Sequence, residues 1–177
     1  YNPDLESSHF LVPGLVGIIL QLVTLFLTSF AVVRERELGT DHPDFATSLT
    51  NLGALYLAMD DLTRAEPLLR QAMGIRLKIL GAEHPNTANS LAWVAKMFES
   101  KRDFARAESM YLQVKGILAN SLGEQHPDFA TGLENVAGIY HQAGDYDRAE
   151  PLYLQIISIR KATLGKQHRD YATVLNR

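Results

Sequence analysis

Apolar and small residues recur along this chain at helical spacing, and the whole pattern then repeats. Leu49, Leu52, Gly53 and Tyr56 stand at i, i+3, i+4 and i+7; Leu91, Val94, Ala95 and Phe98 repeat that spacing, and so do Leu133, Val136, Ala137 and Tyr140. Such spacing puts the four side chains on one face of an amphipathic helix. This first helix, helix A, is predicted over Asp44–Ala58 in its first copy. A short polar break follows, "MDD", "KRD" or "AGD". A second stripe runs through Leu62/Phe104/Tyr146, Ala65/Ala107/Ala149, Leu69/Tyr111/Tyr153 and Ala72/Val114/Ile156, and predicts helix B. Leu38, Leu80, Leu122 and Leu164 mark the same point of each copy and step by 42 residues without insertion.

The punctuation agrees with the stripes. Pro43, Pro85 and Pro127 fit the first helical position, where a missing N–H is lost at no cost. Asp44 and Asp128 follow, favourable beside the positive end of a helix. Asp61, Asp103 and Asp145 stand where helix B needs an N-cap. Pro67 and Pro151 lie five to six residues further on, which suggests a helix start nearer Arg64 or a slight bend. Gly39, Gly81, Gly123 and Gly165 suit the left-handed residue that closes a helix. Gly53, Ala95 and Ala137 are expected to face Ala65, Ala107 and Ala149, letting the two helices meet closely. Tyr56, Phe98 and Tyr140 would then fill the gap toward the next copy.

A lone 42-residue hairpin cannot bury both of its stripes; stacked copies can. The predicted fold is therefore all-α, a right-handed α-solenoid of antiparallel helix hairpins. The array spans 34–177, with repeats 38–79, 80–121 and 122–163 and a partial copy at 164–177. The sequence ends midway through that fourth copy and reads as a fragment of something longer.

Composition narrows the chemistry. A net charge of −3 with both signs interspersed lacks the basic stripe of a nucleic-acid footprint. Cysteine is absent, which removes disulfides and thiolate chemistry and suits a reducing, cytoplasmic setting. His42, His84, His126 and His168 recur, but successive copies of a stacked array sit about 10 Å apart, too far to share a metal ion. They are expected to bond nearby backbone before each proline. Glu66, Glu108 and Glu150 repeat along one ridge beside Arg64, Arg106 and Arg148, which predicts ion pairs within or between units, not converging acids. No phosphate loop, nucleophile elbow or zinc-protease helix is present. The expectation is a protein without catalytic, cofactor or metal sites.

Residues 1–33 form a separate leader. Phe10–Val33 carries no charge, and the nineteen residues Leu15–Val33 are long enough to cross a bilayer. Arg34 and Arg36 behind it would keep the repeats on the cytoplasmic side. A secretory signal is disfavoured because no basic segment precedes the apolar run. A rival reading overlays "LFLTSFAVVRERELG" on "PLLRQAMGIRLKILG", making Leu25–Gly39 a degenerate helix B. Under a third, the leader is aberrant sequence joined to a true repeat.

Leu–x2–Leu/Val–Gly/Ala–x2–aromatic, followed by Ala–x3–Leu/Tyr–x2–Ala, resembles the tetratricopeptide repeat. The 42-residue period, "LGxxHPDxAxSL" connectors and "RAEPLYxQ" helices resemble kinesin light chains and related bacterial and fungal multi-repeat proteins. The second copy departs most, with Trp93 at the place of an Asn, "KRD" for "AGD" and Ser109 for Pro.

What remains is recognition. In a solenoid of hairpins the A helices line the concave wall. Helix A spacing assigns to it Thr47, Thr50, Asn51, Ala54 and Leu57; then Asn89, Trp93, Lys96 and Glu99; then Thr131, Glu134, Asn135, Gly138 and His141. The resemblance implies that Asn51 and Asn135 contact peptide backbone, and an Asn amide can both donate and accept. Ordinary helix surface is the alternative for that pair. Trp93 is either an interface anchor or inter-helix packing. The expected function is a protein-interaction scaffold holding a peptide or partner segment, perhaps tethered through residues 15–33. The alternative is the sensor arm of a larger signalling NTPase or protease.

Overall fold

The computed structural model describes residues 18, 19, 21–26, 29 and 42–164. Six helices follow in order: α1 (Pro43–Ala58), α2 (Leu62–Leu80), α3 (Pro85–Ser100), α4 (Phe104–Leu122), α5 (Pro127–Gln142) and α6 (Tyr146–Leu164). They pair as hairpins α1/α2, α3/α4 and α5/α6, and the second helix of each hairpin packs on the first helix of the next. The result is an α-solenoid of antiparallel helix hairpins.

Each helix A begins at its proline, capped by the histidine before it. The Nδ1 atoms of His42, His84 and His126 accept N–H bonds from Asp44, Asn86 and Asp128 at 3.2, 3.0 and 3.1 Å. This is the backbone role expected for the connector imidazoles. His168 lies outside the described residues. Asp61, Asp103 and Asp145 cap helix B by accepting from the N–H of Arg64, Arg106 and Arg148. Helix B therefore starts at Leu62 and not near Arg64, and it continues through Pro67. The turns between the helices of a hairpin place Asp60, Arg102 and Gly144 at φ 58°, 62° and 75°. That left-handed conformation lets the N–H of the following aspartate reach the carbonyl of Tyr56, Phe98 or Tyr140. Gly81 and Gly123 close α2 and α4 at φ 83° and 86°; Gly39 and Gly165 are not among the described residues.

The core comprises three apolar clusters, one of which spans all three hairpins. Ala65, Leu69, Val94, Ala95, Phe98, Ala107, Tyr111 and Val136 belong to one buried cluster, with Tyr56 and Tyr140 packed against it. Close approach at the small positions is real: a Cβ on Gly53 would stand 2.7 Å from the Leu69 side chain and 3.5 Å from the Ala65 carbonyl oxygen. Each aromatic also carries an arginine from its own hairpin, Arg64 over Tyr56 at 4.5 Å, Arg106 over Phe98 at 5.4 Å and Arg148 over Tyr140 at 4.2 Å. Two of the three ridge glutamates, Glu66 and Glu108, pair within and between units. Glu66 accepts from Arg70 and from Lys101 of the next hairpin, and Glu108 meets Arg148 of the next hairpin.

Most of the leader, with the last copy from residue 165, falls outside the described residues. Residues 18, 19, 21–26 and 29 are helical, and Ile18, Ile19, Leu22, Val23 and Phe26 are exposed. Among the described residues no helix is long and apolar enough to cross a membrane.

Candidate partner-binding cleft

Two clefts open where α3 and α5 run side by side. One, of about 400 Å³, is lined by Lys96 and Glu99 of α3, by Glu134, Asn135 and His141 of α5, and by Tyr153 of α6. The other, of about 150 Å³, lies nearer the helix starts, between Asn86, Asn89 and Ala92 on one side and Asp128, Thr131 and Asn135 on the other. Asn135 borders both.

The floor of the larger cleft is a polar network built around Glu99. Its carboxylate accepts from Lys96 Nζ at 2.8 Å, from Gln142 Nε2 at 2.8 Å and from the Tyr111 hydroxyl at 3.0 Å. Burial alone would raise the Glu99 carboxyl, but the bonds from Lys96, Gln142 and Tyr111 outweigh it and hold the group below its usual value. The Tyr111 hydroxyl is pushed up, first by burial and then by the charge of Glu99. Glu134 is held from below by Arg160 Nη2 at 2.6 Å. At the rim, the His141 ring meets Tyr146 and Tyr153 edge-on, with centroids 5.5 and 6.5 Å away. Charges in the cleft are thus mostly spent on one another. These pairings fix its shape.

The positions assigned to this wall fare unequally. Thr47, Asn51, Asn89, Lys96, Thr131 and His141 are exposed, while Ala54, Trp93, Glu134 and Asn135 are half-buried. Thr50 is a correction: it is 3% exposed, and its hydroxyl donates to the Ala46 carbonyl of its own helix. Its position on the helix turns it inward, where a small side chain bonded to backbone is accommodated. Trp93 packs against the central apolar cluster together with Leu57. Asn51 and Asn135 have side-chain amides with no hydrogen-bond partner among the described residues. Among those residues no cluster could hold a metal ion. Helix A spacing overlooked Gln142, Tyr153, Arg160 and Arg76, three of which project from helix B. The polar residues late in helix B, "IRLK" and "IRKA", were the available signal.

A model of the tetratricopeptide repeat matches residues 21–78, 44–120 and 128–177. The chain belongs to the tetratricopeptide repeat family. Among solved structures it is similar to a putative kinesin light chain with nearly identical TPR-like repeats from Podosopora anserina, at 25% identity and TM-score 0.69, over 97% of this chain and 82% of that one. It also shares its fold with BtubC (BKLC) from P. vanneervenii, at 22% identity and TM-score 0.74, over 88% of this chain and 63% of that one. A third likeness is short. A probable multidrug ABC transporter permease of Escherichia coli, YbhS, is 42% identical over 50 residues, 28% of this chain and only 13% of the permease. The tetratricopeptide match begins at residue 21, so it includes part of the apolar leader.

Proposed function

We propose that this protein is a non-catalytic scaffold holding a peptide or partner segment along the wall formed by α1, α3 and α5. The observation that carries this reading is Asn135. Its half-buried amide borders both clefts and has no partner among the described residues. A polar group in that position gains from meeting another backbone, because an amide can donate to a carbonyl and accept from an N–H together. Asn51 offers the same group from α1. The floor beneath is tied together by the bonds of Glu99 and Glu134, which favours presenting the wall's donors and acceptors without much reorganisation. Affinity then comes from several shallow contacts. Replacing Asn51 and Asn135 together by Ala should weaken capture of the partner about tenfold or more while leaving the helical circular dichroism unchanged. Unaltered capture by that double variant would refute the assignment of the wall.

The sensor-arm reading uses the same wall, and a nucleotide-binding or protease domain in the parent gene would favour it. Tethering through residues 15–33 is a separate reading, drawn from the exposed row Ile18, Ile19, Leu22, Val23 and Phe26. Against it stands the repeat-like match from residue 21, which supports the end of the leader as a degenerate repeat helix. Flotation of the full chain with lipid vesicles, beside the piece 38–177, separates the two. The permease likeness covers too little of either chain to suggest transport.

A further inference from the structure

We infer that the starts of the three A helices are acid-sensitive latches, each closed by a neutral histidine and opened when its imidazole takes up a proton, with the second start the least protected. Helix starts are ordinarily capped by Ser, Thr, Asp or Asn. Helix B follows that rule, with Asp61, Asp103 and Asp145 accepting from the N–H of Arg64, Arg106 and Arg148. Helix A does not. Its cap is the Nδ1 lone pair of His42, His84 or His126, which accepts from the N–H two residues on at 3.2, 3.0 and 3.1 Å. With Nδ1 accepting, the ring carries its one proton on Nε2; a second proton turns Nδ1 into a donor that faces a donor. It also sets a positive charge on the positive end of a helix. The cap is therefore present at neutral pH and is lost as the pH falls through about 6.5, where an imidazole ordinarily takes up its proton. His42 is exposed and His84 and His126 are half-buried, so protons reach all three. The caps of helix B keep their acceptors over that range: side-chain bonds from Arg64 and Arg148 hold Asp61 and Asp145 below the usual carboxylate value.

The three latches are unequal. His42 Nδ1 lies 3.5 Å from Asp44 Oδ2, and His126 Nδ1 lies 3.7 Å from Asp128 Oδ2, so a protonated ring there exchanges its cap for an ion pair. At the second start the matching residue is the neutral Asn86. Glu83, just before His84, forms no ion pair with it, and no other carboxylate among the described residues does. The charge that α2 brings to this turn has the wrong sign, since Arg76 Nη1 donates to the Asn86 carbonyl at 3.1 Å. At the third start α4 brings Leu118 instead, clustered with Phe129 and Ala130. The acid across the smaller cleft from Asn86 is Asp128, which already stands beside His126. The elements ahead of His42 lie outside the described residues. One tie at the second start ignores pH: the Thr87 hydroxyl donates to the Gly81 carbonyl at 2.8 Å, so the first turn loosens while the helix remains. Pro85, Asn86 and Asp128, beside two of the caps, line the smaller cleft, and acid therefore loosens its rim. That this cleft takes a partner rests on the scaffold reading above; the latch does not.

The test reads the first helical bond of each A helix, made by the amides of Ala46, Ala88 and Ala130 to the carbonyls of His42, His84 and His126. Their hydrogen exchange is followed by NMR in the full chain at about pH 7.5 and about pH 5.5, on either side of the ordinary imidazole value, and corrected for the intrinsic effect of pH on exchange. Protection at Ala88 should fall about fivefold on acidification, the worth of one cap, and protection at Ala46 and Ala130 should fall less. Two variants separate the cap from the ring. His84→Asn keeps an acceptor at either pH, so Ala88 should stay protected throughout. His84→Ala has no acceptor, so protection at Ala88 should already be low at the higher pH and fall no further. A melting curve checks that each variant folds, and His84→Asn, with a favoured cap, carries the test if His84→Ala does not. Unchanged protection at Ala88 in the natural protein, or an equal loss in His84→Asn, overturns the latch. An equal fall at all three amides overturns the special place of the second start. No partner is present in these measurements, so failure of the latch and failure of the scaffold reading are told apart.

Discussion

The first and second junctions between hairpins share a backbone plan and differ in chemistry. At the first, Arg76 of α2 crosses to α1 and α3 and is bonded to Thr47, Asn86 and Ser90. At the second, the matching residue is Leu118 of α4, buried among Phe129, Ala130 and Leu133. The residue opposite changes with it. Ser90, 1% exposed, supplies an acceptor to the arginine, whereas Gly132 leaves room for the leucine, so close that an added Cβ would stand 3.0 Å from Leu118 Cδ1. A polar tie and an apolar plug therefore support the same helix path. The 42-residue period specifies how helices follow one another, and each junction is then fitted by a pair of residues that exchange together.

The largest effect should come from emptying the apolar plug. Leu118→Ala should cost about 2–4 kcal/mol in a urea melt, because removing buried carbons leaves a cavity the helices cannot close. A loss below about 0.5 kcal/mol would mean the second junction is not held by packing. A smaller effect tests the exchange of partners. Arg76→Leu alone should cost about 1 kcal/mol, since it takes the donor away from the buried Ser90. Adding Ser90→Gly gives the first junction the chemistry of the second, and the pair should be better than the sum of its parts by at least about 0.5 kcal/mol. Strict additivity would show that the two positions are independent. The smallest effect is electrostatic and belongs to the second junction, where Glu99 joins α3 to Tyr111 of α4 and Gln142 of α5; the first junction has Leu57 at that place. Because its bonds hold the Glu99 carboxyl below the ordinary value of 4.5, its stabilisation is present above that pH and is lost as the pH falls through the ordinary value and below. Glu99→Gln should therefore lose less stability than the natural protein over that acid range. A slope that does not change would place the acid sensitivity on other carboxylates, among them Glu66, Asp61 and Asp145, which are also held low by their partners.

What was legible in the sequence follows from how local each signal is. Pro43 and Asp61 mark helix starts by chemistry confined to one turn, so the caps fall where the pattern puts them. Leu69 and Gly53 could be matched because hairpin partners are near in sequence. Thr50 shows the limit: a stripe that drifts around the helix can turn a nominally outward position inward, and only packing decides. The tie made by Arg76 is not legible in helix A spacing, because Arg76 lies near the end of helix B and reaches Asn86 and Ser90 of the next hairpin. Arg102 was read as part of a polar break, but the turn holds it at φ 62° where the third repeat uses Gly144 at φ 75°. That conformation is invisible without the repeat's three-dimensional alignment, and an arginine tolerates it at a cost of about 1 kcal/mol.

The central claim is that partners are held on the wall of the A helices and not on the outer face of the B helices. Photo-crosslinking tests it directly, with benzoylphenylalanine placed at Thr131 on the wall or at Leu112, an exposed apolar residue of α4. The account predicts that the group at Thr131 yields a partner adduct that excess unlabelled protein competes away, and that the group at Leu112 yields none. A competed adduct from Leu112 with none from Thr131 would contradict it.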